Sequence, residues 1–309
     1  PTHGTQADEL MRCADTALNR VKINGRNGAI IYDHVMDDLT SDALNIESEL
    51  VAAINNHELE VYYQPLYNSR LNHIYGFEAL VRWHSPSRGI VQPNQFIPIA
   101  EENGLIRLID LYVLKKAFEA SQRWIELGVM RGRIAVNIST HNFQQANFVQ
   151  QIKDLVKSVE GDCSQIELEL TETAMMMDPQ TVSKNIAALK ALGFKLTLDD
   201  FGTGFSSLGH LKQFSIDKVK IDRSFVHEIE HNEQDKNIAS VIIQLGHHLG
   251  LEIVGEGVEN ETQSFMLHVM GCVQQQGYLI SRPLPEEQLM TFLDNEDEYL
   301  TKISAGMGL

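Results

Sequence analysis

From residue 59 onward, short β-rich runs recur eight times, most of them separated by longer segments of helical spacing. The runs are LEVYYQPL (59–66), IYGFEALVRW (74–83), RIAVNIS (133–139), QIELELTE (165–172), FKLTLDD (194–200), DKVKID (217–222), LEIVGE (251–256) and QQQGYLI (274–280). Helical candidates fall at 107–127, 141–159, 180–192, 235–249 and 260–270. Eight strands with helices between them predict a closed (β/α)8 barrel of the TIM type rather than an open sheet. One connection departs from that plan. Only NSRLNH (68–73) joins the first two runs, too short for a crossover, so they should form an antiparallel hairpin. The expected fold is therefore a modified α/β barrel with one antiparallel strand.

The segment ahead of the barrel reads differently. Residues 7–23 (ADELMRCADTALNRVKI) have apolar side chains at helical spacing, with basic residues toward the end, where they suit the helix dipole. NGRNG makes a turn, AIIYD (29–33) reads as a short strand, and DHVMDDLTSD (33–42) reads as a polar linker. Ser41 with Asp42 can cap a helix running to about residue 56.

The net charge of −17 argues against a broad basic surface for a DNA or RNA duplex or an anionic membrane, since such binding draws on Lys and Arg contacts to phosphates. Three widely spaced cysteines, at 13, 163 and 272, read as reduced thiols, which suits a cytoplasmic protein. No apolar run approaches the ~18 residues of a bilayer span, and no signal peptide is present. The chain starts at Pro1 without Met and so reads as a fragment, whose parent could be tethered to the inner membrane upstream.

A barrel should carry its functional side chains at the C-terminal ends of its strands. Glu78 lies late in the second run, Asn137 late in the third and Glu169 near the end of the fourth. Asp199 and Asp200 close the fifth, Lys220 is late in the sixth and Glu256 closes the seventh. Singly, each is an ordinary polar strand-end residue. Together they imply more, because converging carboxylates repel unless protonated or bound to a cation. Such hard oxygen donors suit Mg²⁺ or Mn²⁺ rather than the softer metals favoured by Cys and His. The adjacent acids Asp199 and Asp200 could serve two ions, which at ~3.5–4 Å apart are a standard device for phosphodiester cleavage. Gly202 and Gly204 permit a tight turn directly after them. Glu167 and Glu169 share a strand face while Glu172 lies past the strand, and periodicity does not say which of the three binds metal. Residues 227–231 read HEIEH, a literal zinc-protease pattern. NEQDK follows at once and no third ligand is evident, so a solvated helix is the better reading.

With these residues placed, the chain from about 47 to 297 resembles the EAL-domain cyclic di-GMP phosphodiesterases. The name-giving motif stands as Glu78-Ala79-Leu80, continuing Val81-Arg82-Trp83. YYQP (62–65), FIPIAEENG (96–104), VNIS (136–139), ELTE (169–172), DDFGTGFSSL (199–208), KID (220–222), EGVE (256–259) and QGY (276–278) match in order and spacing. Residues 7–33 are similar to the tail of a GGDEF domain, with Asn19 where a Tyr is usual; the GGDEF signature itself is absent. The resemblance thus divides the chain into a GGDEF remnant (1–35), a linker (36–46), the EAL domain (47–297) and a C-terminal tail (298–309).

The resemblance also implies roles. Glu78, Asn137, Glu169 and Asp199 would hold a first Mg²⁺ or Mn²⁺. Asp199, Asp200 and Glu256 would hold a second, with Gln276 close by through water. Lys220 would hold the attacking water, Glu256 would take part in the chemistry, and Glu172 would brace the loop after Asp200. Gln64, Leu80, Arg82, Gln276 and Glu259 would contact substrate. The implied reaction is hydrolysis of cyclic di-GMP to linear pGpG, inhibited by Ca²⁺, in a homodimer.

Overall fold

The structure, a computed structural model, describes residues 3, 6–23, 29–33, 35–175, 178–202 and 214–308. It divides into two compact units, residues 1–59 with 82–105, and residues 60–81 with 106–309.

The larger unit contains the barrel. Its strands are β1 (Leu59–Asn68), β2 (His73–Ser85), β4 (Arg133–Ile138), β5 (Ile166–Thr171), β6 (Lys195–Phe201), β7 (Lys218–Ile221), β8 (Glu252–Gly255) and β9 (Gln274–Gln275); a further strand, β3 (Gly89–Val91), belongs to the smaller unit. The order β1-β9-β8-β7-β6-β5-β4-β2 closes through a β1–β2 pairing, so eight strands form a barrel. From β2 through β4 to β9 all pairings are parallel, whereas β1 meets β9 antiparallel. The hairpin expected from the short first connection is present. Its turn is fastened by the Asn68 side chain, which accepts from the amides of Arg70 and Leu71, both at 3.0 Å.

The strands of a parallel barrel are covered on both faces and should be buried throughout, and β5 is buried at five of its six positions. Ile166, Leu168 and Leu170 alternate with Glu167 and Glu169 along that strand. Glu167 takes part in a buried cluster. Its carboxylate accepts from Thr197 at 2.5 Å and pairs with Lys218 at 2.8 Å. Two residues further along β5 and β7, Glu169 meets Lys220. The period of two thus stacks the Glu167–Lys218 pair beneath the layer that holds Glu169 and Lys220.

The helices cover the strands. They include α4 (Ile106–Glu126), α6 (Phe148–Val159), α8 (Pro179–Ala191), α10 (Glu233–Leu249) and α11 (Glu261–Met270). The helix expected over 141–159 is split into α5 (Thr140–Phe143) and α6, whose Phe143 and Phe148 rings pack edge to face. The strand expected over 274–280 keeps only two residues. Gln276 N–H still bonds Gly255 O, but the chain then turns at Gly277, where Ile280 N–H bonds Gly277 O. Of the segment expected as a tail, residues 298–307 are helical as part of α13 (Glu296–Met307). Leu300, Ile303 and Met307 are buried, and Ser264 of α11 donates to the Met307 sulfur at 2.8 Å, so apolar spacing at 300, 303 and 307 makes this segment part of the fold.

The smaller unit holds α1 (Ala7–Ile23), α2 (Val35–Asn55), the end of β2, β3 and α3 (Pro93–Glu102). The helix expected at 7–23 is present. The polar stretch 33–42 is helical from Val35, earlier than the expected cap at Ser41–Asp42. Residues 29–33 are not a strand, because no neighbouring strand among the described residues pairs with them. β3 went unread in the sequence because three residues carry no periodicity. It pairs antiparallel with Trp83–Ser85, and Trp83 Nε1 donates to Glu58 at 3.0 Å.

Candidate active site

Lys220 sits on β7 with its side chain 2 % exposed, surrounded by four carboxylates. Its Nζ lies 2.6 Å from Glu256, 3.0 Å from Glu169, 3.3 Å from Glu78 and 3.6 Å from Asp199. These acids come from β8's end, β5, β2 and β6. Four of the residues expected to share one rim are therefore within 3.6 Å of one ammonium. β2 runs on to Ser85, so Glu78 lies mid-strand rather than late in it.

Amides link to this cluster. Asn137 donates to Glu78 at 2.7 Å, and Gln276 donates to the other Glu78 oxygen at 2.5 Å. Gln276 also reaches the Gln64 carbonyl oxygen at 3.0 Å, and Gln64 is anchored in turn to Ser281 O at 2.9 Å. The buried Gln276 Oε1 has no partner among the described residues.

The electrostatics follow from this crowding. Burial pushes the Glu78 carboxyl up, but Lys220, Gln276 and Asn137 outweigh it and hold the group below its ordinary value. Burial followed by repulsion from Glu78 drives Glu169 well above the carboxylate range. Asp199 is also raised, chiefly by burial. Glu256 is pushed up to about 8 by burial, then by Asp199 and Glu78, against the pull of Lys220. Asp200 is pushed up to about 6 by desolvation, Asp199 and Asp222. Burial disfavours the Lys220 charge, yet the four carboxylates together hold its pKa well above the ordinary lysine value.

The donor set fits divalent cations. Asp199, Asp200 and Glu256 each offer an oxygen, and these oxygens lie within 4.8 Å of one another. Asp200 adopts a left-handed backbone conformation (φ 54°), uncommon for a non-glycine residue. Raised carboxyl pKa values at a cluster of hard donors express a demand for positive charge that one lysine does not meet.

Glu172, buried at the end of β5, accepts from the Gly202 amide at 3.4 Å, while its other oxygen has no partner among the described residues. Gly202 itself needs its φ of +101° and close packing on Phe225 and Ile242. Gly204, with the rest of residues 203–213, lies outside the described residues. Arg82 is half-buried in the smaller unit.

A cavity of about 220 Å³ adjoins the cluster, and Gln64, Glu78, Leu80, Glu256, Glu259 and Gln276 line it. Arg223, Gly257 and Tyr278 line it too and were not singled out in the sequence. A signal was available: Gly257 directly follows Glu256, a candidate ligand, and Arg223 and Tyr278 follow close on Lys220 and Gln276 beyond strand ends. The HEIEH reading gains no support. The helix α9 (Arg223–His227) ends at His227, so the two histidines do not share a helical face, and His227 and Glu228 are exposed.

Comparison with known proteins agrees with this geometry. The EAL domain family pattern matches residues 47–283. The chain is 37% identical over 290 residues to the bifunctional diguanylate cyclase/cyclic di-GMP phosphodiesterase MucR of Pseudomonas aeruginosa, covering 94% of this chain and 42% of that protein. It is 36% identical over 293 residues to the cyclic di-GMP phosphodiesterase NbdA of the same organism, covering 95% and 37%. The chain thus spans less than half the length of these relatives. The solved structure of the PaMucR phosphodiesterase in complex with c-di-GMP superposes with a TM-score of 0.77 at 38% identity, covering 79% of this chain and 99% of that one. A closed barrel with one antiparallel strand, an acid cluster around Lys220 and a match across most of its length place this chain in the EAL-domain family.

Proposed function

We propose that this chain hydrolyses cyclic di-GMP to linear 5′-pGpG in a reaction that requires Mg²⁺ or Mn²⁺. The observation that carries this reading is the convergence of Glu78, Glu169, Asp199 and Glu256 on Lys220 beside a cavity. Glu78, Asn137, Glu169 and Asp199 would hold one ion, and Asp199, Asp200 and Glu256 the other. When bound, the ions supply positive charge to the phosphate oxygens and lower the pKa of water.

The chain's own residues do the rest. Lys220, kept charged by its four partners, orients the attacking water and stabilises charge developing on the phosphate. Glu256, 2.6 Å away, fixes the ammonium in place. Gln276 and Asn137 hold the Glu78 carboxylate in its ionised form. Glu172 braces the turn after Asp200 through the Gly202 amide. Gln64, Leu80, Arg82, Gln276 and Glu259 contact substrate. Water's oxygen joins phosphorus and the 3′ oxygen leaves, which opens the ring and creates a 5′-phosphate end.

Further parts of the reading come from the sequence resemblance. Residues 1–35 are a GGDEF remnant, 36–46 a linker and 47–297 the catalytic EAL region. The chain works as a homodimer in the cytoplasm, and Ca²⁺ inhibits it. No helix of the described residues is long and apolar enough to cross a membrane.

The test is direct. The protein is incubated with cyclic di-GMP and Mg²⁺ or Mn²⁺, with and without EDTA, and pGpG is sought by chromatography. Metal-dependent pGpG formation is expected. Binding without turnover would point instead to a receptor, and absence of both would end the proposal.

A further inference from the structure

A cation on the rim of the active-site cavity has no counter-charge among the described residues. Arg223 is the first residue of α9, whose cap is Asp222, directly after β7. It lines the same cavity as Glu256 and Glu259. Yet it makes no hydrogen bond or ion pair among the described residues. The acids near it are otherwise engaged: Glu256 pairs with Lys220 at 2.6 Å, and Glu259 faces His227 at 3.8 Å.

The position of Arg223 is built in. Gly257, immediately after Glu256, has a φ of +68°, and a Cβ there would come within 2.6 Å of the Arg223 Cβ. Only glycine lets the loop after β8 lie this close to the first residue of α9. The stem of Arg223 is thereby pressed against the Glu256 loop while its guanidinium is left unpaired. In a chain with 42 acidic and 25 basic residues, an unpaired arginine beside an acid-lined cavity calls for an anion from outside. A second guanidinium stands nearby: Arg282 lies 4.2 Å over the ring of Tyr278, which lines the cavity.

We propose that Arg223 binds the non-scissile phosphate of cyclic di-GMP. This rests on the reading of the cavity as the cyclic di-GMP site. The substrate carries two phosphodiesters, each with one negative charge. The one being cut belongs with the acid cluster and its cations. The other must enter a cavity whose Glu259 carboxylate, outside the proposed ion sites, repels it. A planar guanidinium offsets that repulsion and matches two phosphate oxygens at once, which a lysine ammonium does not. Arg223 would thus favour a cyclic dinucleotide over ligands that carry a single phosphodiester.

The experiment compares wild type, Arg223→Ala and Arg223→Lys, with Lys302→Ala as an exposed-charge control. Each is assayed on cyclic di-GMP and on an analogue in which one linkage is a neutral methylphosphonate. Arg223→Ala should raise KM for cyclic di-GMP about ten- to hundredfold, with kcat within about threefold. Arg223→Lys should fall between, and Lys302→Ala should match wild type. The neutral analogue should bind wild type more weakly, and Arg223→Ala should lose no further affinity for it, because the partner of the guanidinium is already gone. An unchanged KM in Arg223→Ala would overturn the proposal. An equal loss on both ligands would also overturn it, by placing the arginine on the guanine. A wild type that neither binds nor cleaves cyclic di-GMP would take down the reading of the cavity as well.

Discussion

The Lys220 ammonium lies 2.6 Å from the Glu256 carboxylate, and this pair is the shortest of the four ion pairs that fix the lysine at the centre of the acid cluster. Removing the lysine should therefore do two things. Lys220→Ala should lower kcat on the order of 10²- to 10³-fold through loss of a preorganised donor, while substrate affinity measured by calorimetry persists. It should also lower the melting temperature without metal, since the buried carboxylates lose their counter-charge. Unchanged turnover would exclude the assigned role.

The two proposed sets of oxygen donors overlap at Asp199. Asp200→Ala should reduce Mn²⁺ stoichiometry, measured by calorimetric titration, from two ions per chain to one, because the Glu78, Asn137, Glu169 and Asp199 donors remain. Glu78→Ala should abolish turnover. Two ions still bound to Asp200→Ala would refute the division of ligands.

The raised carboxyls make stability depend on pH with a defined sign. Glu256, at about 8, and Asp200, at about 6, bind protons more tightly folded than unfolded, where carboxyls titrate near their ordinary values. Their contribution is fully present at low pH and is lost as pH rises through the folded values. Between about pH 5 and pH 8, Glu256→Gln should thus gain melting temperature relative to the wild type, both without metal, and the gap should widen toward pH 8. A constant or shrinking gap would contradict the assignment.

Gln276 bridges Glu78 and Gln64 inside the protein. Gln276→Leu should destabilise the fold by about 1–3 kcal/mol, because Glu78 and Gln64 lose a buried partner. It should also raise the Glu78 pKa by removing a hydrogen bond to the ionised form. Thermal melts, together with activity followed at acidic pH, report both effects, and wild-type behaviour in each would argue against the bridge.

His227→Ala should leave turnover within about twofold of wild type, as expected for an exposed side chain away from special features. A large loss would revive a catalytic part for the HEIEH segment.

The barrel was largely legible in the sequence. Alternating and continuous β-rich runs marked eight strands, and a connection too short for a crossover marked the antiparallel one. The errors cluster where local pattern is weakest. β3 has three residues, the end of β9 is set by a turn at Gly277, and the α13 helix shows its apolar spacing at only three positions, 300, 303 and 307.

By itself the sequence determined the donor types available to the site, oxygens rather than thiols or imidazoles, and the period of two set the strand face each one takes. Tertiary structure alone decided which of those oxygens meet. Gln64 reaches Gln276 across 212 positions of the chain, and Glu78 reaches Lys220 across 142, because the β1–β9 and β1–β2 pairings close the barrel. Local spacing reports which way a side chain points from its own strand. Which distant side chain it meets depends on closure and on backbone approaches such as that of Gly257 to Arg223, and those arise only once all the strands are assembled.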